Sequence, residues 1–272
     1  MIETNEGGKE LPKKEDIFTL KIVGSGTLVP DPFRSTSSNL LEWSGRRYLI
    51  DVGFGTLASL TGMGIHPTSV HSVFLTHFHP DHIADLIPLL FTRNYTAELY
   101  EKKLTIYGPT GLVHFLRTMA AAYGEWLNDI VDQSVEVVEL KEGIFELDRL
   151  ILRILSVSHA PESIGYRFES AAGTIAFTGD TGYSLNTAKL CRDADIAVME
   201  CAAMQRGGNH LCPEEVAEMA LLSQPAQLLI NHCYPEVVTT DPVVRINAIY
   251  SGKVMRAYDG QVLSCNGVSD AG

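Results

Sequence analysis

Short apolar runs punctuated by Gly, Pro and Ser recur along this chain. IFTLKIVGSG reads as a strand ending in glycines, and SNLLEW and RYLIDVGFG read as a hairpin of buried strands across a GRR turn. HSVFLTH, KLTIYG, SVEVVEL, RLILRILSVSH, SIGYRFES, GTIAFTGD, DIAVME and AQLLINH continue the series, and VMRAYDG with QVLSC closes it. Helical spacing interrupts the strands. One short helix is expected around TLASLTGMGI, and another on Ile83, Ala84, Leu86, Ile87, Leu90 and Phe91, with Pro88 kinking it. Further helices are expected from Pro109 through Met119, from Asn186 to Arg192, from Pro213, and over DPVVRINAIY. Strands in runs with helices before and after predict an α/β fold, two mixed sheets face to face with helices outside. The polar residues 1–16 read as a loose tail, and residues 17–272 as a single domain.

Composition narrows the function classes. The 272 residues are 45% hydrophobic and 20% charged, enough for a sizeable core. A net charge of −12 argues against broad nucleic-acid or anionic-membrane binding. Five cysteines without CxxC spacing suit no disulfide framework, no apolar leader is read at the N-terminus, and no run reaches the ~18 apolar residues of a membrane span. A cytoplasmic protein is expected.

The chemistry concentrates in THFHPDH. His77 and His79 alternate along an extended segment and can face one ion, while Asp81 and His82 follow where the chain turns into a helix, placed for a second. Imidazole and carboxylate at this density suit divalent cations. Three more apolar strands run out to a polar residue, at His159, Asp180 and His232. A metal ligand closing several strands implies that those strands present side chains at one rim.

These motifs resemble the metallo-β-lactamase fold superfamily, and within it the ribonuclease Z-like phosphodiesterases. The resemblance runs from about residue 18 to 264 through THFHPDH, SHA at His159, TGDT at Asp180 and NHCYP at His232. It implies a four-layer αββα sandwich with the site along one edge. It also implies that His77, His79 and His159 bind one metal, that Asp81, His82 and His232 bind the other, and that Asp180 bridges them. MECAAMQRGGNHLCPEEV resembles the pattern that supplies a catalytic dyad, here Glu200 orienting His210, and GSGTLVPDPFRSTSSN resembles a loop whose Arg, here Arg34, meets substrate phosphate. The chain departs from ribonuclease Z between His159 and Asp180, where the short connection leaves no room for a tRNA-gripping arm. Cys212 also stands where such relatives often carry Ser or Thr.

The expected function is therefore a dinuclear metal-dependent hydrolase, a phosphodiesterase acting on small or cyclic phosphodiesters through a metal-bridging hydroxide held by Asp81. The alternative is a carbonyl or sulfate-ester hydrolase of the same fold. Zinc is the expected metal, with Mn or Fe as other fits. No stable nucleic-acid or membrane partner is expected, and the resemblance implies a homodimer. Tyr95, Tyr100, Tyr123 and Trp126 are candidates for stacking on a base or for core and interface packing. Cys201 and Cys233 are expected to turn away from the metals.

Overall fold

The structure is a computed structural model that describes residues 17–96 and 103–265; the expected tail and Tyr100 lie outside them. The first half of the chain holds β1 (Thr19–Gly24), β2 (Ser38–Trp43), β3 (Arg46–Ile50), α1 (Thr56–Gly62), β4 (Ser72–Phe74), α2 (Pro80–Ile83), α3 (Leu86–Tyr95), β5 (Leu104–Pro109), α4 (Leu112–Tyr123), α5 (Glu125–Ser134) and β6 (Val135–Leu140). The second half holds β7 (Gly143–Leu147), β8 (Leu150–Ser156), β9 (Ile164–Ser170), β10 (Gly173–Phe177), α6 (Leu185–Cys191), β11 (Ile196–Glu200), α7 (Pro213–Ser223), β12 (Gln227–Asn231), α8 (Pro235–Thr239), α9 (Pro242–Asn247), β13 (Val254–Arg256) and β14 (Val262–Ser264). The strands form two seven-stranded mixed sheets, ordered β14-β1-β2-β3-β4-β5-β6 and β13-β12-β11-β10-β9-β8-β7. The αββα sandwich expected from the sequence is the observed architecture.

Both faces of the central strands are buried, and alternation divides each strand between two cores. In β3, Tyr48 and Ile50 face the opposite sheet while Leu49 packs under the helices; in β11, Ile196 and Val198 face inward while Ala197 and Met199 meet the outer helices. Between the sheets, Phe74 stacks on Tyr107 at 4.6 Å and meets Phe168 edge-on at 5.1 Å. The outer cores lie under α1, α3, α4 and α5 on one sheet, and under α6, α7 and α9 on the other.

The pairing decides where the site can be. β3, β4 and β5 are mutually parallel, as are β10, β11 and β12. Parallel neighbours end at the same edge, so the loops after β3, β4, β10, β11 and β12 gather on one rim.

Several local expectations need correcting. The helix break falls at Ala84 and Asp85, upstream of Pro88, which sits in the first turn of α3 where a missing N–H breaks no bond. Pro109 ends β5 rather than opening a helix, and α4 begins at Leu112. β7, α5 and α8 were not foreseen: β7 is an exposed edge strand without alternation, and α5 buries little beyond Leu127, Ile130 and Val131. The strands carrying His159 and Asp180 also stop earlier than expected, at Ser156 and Phe177, leaving both residues in loops.

Replacing Phe168 with Ala should lower unfolding free energy by about 3–5 kcal/mol, because its ring is fully buried between the sheets. The check is a denaturant midpoint that falls while the slope of the transition is unchanged.

Candidate metal centre

Asp51 follows β3 in a left-handed backbone conformation, φ +60°, and is 2% exposed. Its Oδ1 accepts from the Thr76 N–H at 2.8 Å, its Oδ2 lies 2.7 Å from His82 Nδ1, and both oxygens lie within 3.1 Å of the Thr76 hydroxyl. Because Thr76 directs its proton to the carboxylate, its oxygen is left to accept from His77 Nδ1 at 3.0 Å. One buried carboxylate thus fixes the orientation of two histidines and turns the Nε2 of each inward, as a lone pair in His77 and, once its proton is displaced, in His82.

His159 is set similarly. Its Nδ1 donates to the Asn209 carbonyl at 2.9 Å, so Nε2 carries the lone pair and faces His79 Nδ1 at 3.1 Å. His232 follows β12 with φ +52°, and its Nε2 lies 3.0 Å from Asp81 Oδ2. Asp180 stands at the hub. Nitrogens of His77, His82, His159, His210 and His232 all lie between 3.3 and 4.0 Å from its oxygens. Gly179 precedes it with φ +59°, where a Cβ would strike Thr76 at 2.9 Å. Gly53 is constrained as well, since a Cβ there would meet the Asp81 carbonyl at 2.1 Å.

The donors fall into three overlapping groups: His77, His79, His159 and Asp180; Asp81, His82 and His232; and Asp180, His210 and His232. Within each group the donor atoms lie no more than 4.8 Å apart. His77 Nε2, His82 Nε2, His232 Nδ1 and Asp180 Oδ1 are buried without a hydrogen-bond partner among the described residues. Leaving such groups unpartnered is costly in a core, and a shared cation removes the cost. The residues therefore fit a divalent metal site.

Electrostatics agrees with that chemistry. Burial and the charge on His82 push His77 down to about 2, keeping it a neutral ligand. Burial opposes ionisation of Asp180, but His232, His82 and His77 hold it well below the usual carboxylate range. Burial opposes the charge on His82 too, yet Asp180 and Asp51 raise it well above an ordinary imidazole. A metal bound by His82 must displace that proton.

Glu200, at the end of β11, is 3% exposed. It accepts from the N–H groups of Thr181 at 2.6 Å, Ala202 at 3.0 Å and Leu211 at 3.3 Å, and its Oε1 lies 2.8 Å from His210 Nδ1. His210 is half-buried and joins the rim above Asp180. Tyr234 lies beside it, edge-on to both His210 and His232.

All seven residues expected as ligands come together at this rim, and Glu200 and His210 come together beside them. Arg34 does not join them. Its Nη2 donates to the Cys233 carbonyl at 2.6 Å and its Nε lies 3.6 Å from Asp31. Tyr95, Tyr123 and Trp126 form a surface cluster of their own with Phe91. Cys201 and Cys233 are buried in the core beneath α7 and α8. Cys212 caps α7 through its backbone, donating its N–H to Glu215 at 3.0 Å. Asp51 and Thr76 were missed; the only sequence signal was an Asp closing the apolar RYLID run.

The family described as anti-Pycsar protein Apyc1 matches residues 18–234. A ribonuclease Z of Mycobacterium sp. (strain KMS) is 30% identical over 244 residues, covering 81% of this chain and 86% of that protein. Among solved structures, the metallo-β-lactamase fold protein YhfI of Bacillus subtilis superposes with a TM-score of 0.79 at 21% identity, covering 92% of this chain and 99% of that one. Human tRNase Z, short form (ELAC1), superposes with a TM-score of 0.70 at 24% identity, covering 91% and 99%.

Asp51→Asn should weaken metal affinity by roughly 10- to 100-fold, the usual cost of losing a ligand's orienting partner. Competition titration against a chelating dye checks it, with unchanged circular dichroism as the control. Metal uptake near pH 7 should release a proton from His82, measurable with an indicator, and affinity should rise with pH.

Proposed function

Since the chain belongs to the anti-Pycsar protein Apyc1 family, in the ribonuclease Z-like branch of the metallo-β-lactamase fold, we propose that it is a dinuclear metal-dependent hydrolase, a phosphodiesterase acting on small or cyclic phosphodiesters. The observation that carries the reading is the Glu200–His210 pair beside the ligand groups. In this reading His77, His79 and His159 would hold one ion and Asp81, His82 and His232 the other, with Asp180 within reach of both sets. Zinc suits this mixture of imidazole and carboxylate, which Mn or Fe also accept.

Bound there, divalent cations acidify water and neutralise the negative oxygens of a phosphodiester. The chain's own residues do the rest. Asp81 accepts a hydrogen bond from the attacking water and holds it in line. Glu200 is buried and anchored by three backbone N–H groups, so it orients His210 through Nδ1 and stabilises the imidazolium. That leaves Nε2 of His210 to deliver a proton to the leaving oxygen.

A small substrate is favoured over tRNA on two grounds. β9 and β10 connect through a tight turn at residues 171–172, so no arm projects between His159 and Asp180. The net charge of −12 also opposes a polyanion.

The test is turnover by metal-reconstituted protein of a phosphodiester panel that includes cyclic nucleotides, beside lactone, thioester and aryl sulfate panels. Diester hydrolysis that falls by about 10²–10⁴-fold in His210→Ala is the expected result. Turnover of carbonyl or sulfate esters with inert diesters would overturn the reading.

A further inference from the structure

Tyr234 is half-buried at the N-cap of α8, two residues beyond His232. Its ring lies 6.0 Å from that of His232 at 88°, and 6.4 Å from that of His210 at 73°. The two imidazoles are themselves nearly parallel, 6.0 Å apart at 18°. Three rings thus form one wall of the rim, with the phenol standing across the end of the imidazole pair. Its carbonyl accepts from the N–H groups of Val237 at 3.0 Å and Val238 at 3.1 Å, while Arg34 clamps the preceding carbonyl of Cys233 at 2.6 Å. The segment is therefore tied on both sides of Tyr234. Yet its phenol oxygen makes no hydrogen bond to any described residue. Ring packing alone would be served by phenylalanine, so a hydroxyl held at the rim without a partner is free for a substrate.

Resting on the phosphodiesterase reading above, we infer that the Tyr234 hydroxyl donates a hydrogen bond to a non-bridging oxygen of the bound ester, dividing the work at this wall with His210. The oxygen of water bonds to phosphorus while one of its protons passes to Asp81, the bond from phosphorus to the leaving oxygen breaks with its electron pair going to that oxygen, and the His210 Nε2 proton goes to it as well. Tyr234 keeps its proton throughout and stabilises charge on the oxygen that does not leave. Arg34 is a positioning residue here: it fixes the peptide that carries Tyr234.

The division of labour is testable with Tyr234→Phe and His210→Ala on phosphodiesters whose leaving groups span a range of basicity. Rates are expressed per metal-loaded site. Tyr234→Phe should retain its metal content and melting temperature while kcat falls by on the order of 10²-fold, the usual effect of losing one such donor. That loss should be the same for every leaving group, whereas the loss in His210→Ala should grow as the leaving group becomes more basic. Three outcomes overturn the inference: a Tyr234→Phe kcat within about twofold of wild type, a loss that grows with leaving-group basicity, or a variant that no longer holds metal. A wild-type protein inert toward every phosphodiester overturns the reading beneath it instead, so the two failures are distinguishable.

Discussion

The carboxylate of Asp51, buried where β3 runs into a left-handed turn, accepts from Thr76 and from His82, and through the Thr76 hydroxyl it also sets His77. A buried charge is tolerated only when its lone pairs are occupied, and here the occupants are the groups that carry or align the candidate ligands. The same bonds that stabilise Asp51 in the core fix the orientation of the imidazoles. Orienting the ligands and burying the anion are one interaction, so neither can be altered alone.

That anchor works because the backbone around it is rigid. The three parallel strands β3, β4 and β5 face β10, β11 and β12 across a core of interlocked aromatic rings, and their ends form a rim of fixed spacing. Close approaches maintain the spacing. Gly53 lets the chain pass against the Asp81 carbonyl, and Gly179 lets Asp180 sit against Thr76. Close-packed interiors transmit small displacements, so a methyl group at either glycine would be felt at the ligands.

The rim is asymmetric, and its chemistry follows from the asymmetry. His77, His82, Asp180 and His232 lie deep, where unpartnered lone pairs call for a cation. His79 and His210 stand where solvent and substrate can reach, while the His159 side chain is largely buried between them. Glu200 lies beneath His210 with its own acceptors filled by backbone donors, so the imidazole is held from below and open from above. A ligand set suited to metal and one shallow imidazole, His210, suited to moving a proton are the division that hydrolysis of an ester requires.

The sandwich and most of its strands were legible in the sequence because alternation and turn residues are local signals. The histidine cluster was legible for the same reason: His77, His79, Asp81 and His82 are close neighbours along the chain. Where the signal was faint, as in the exposed strand β7 or the sparsely buried α5, no reading was made. Pro88 read as a kink because sequence alone could not tell that α3 starts two residues earlier. Asp51 stayed hidden because its partner His82 is 31 residues away, and the phenol of Tyr234 because its wall joins residues from two loops. Arg34 read as a phosphate contact, and only the fold shows that its guanidinium also reaches a carbonyl 199 positions along the chain. By itself the sequence determined which chemistry was available and on which strand ends. Tertiary structure decided which groups share a proton, a lone pair or a charge, because those interactions depend on distances that only the packing of the two sheets sets.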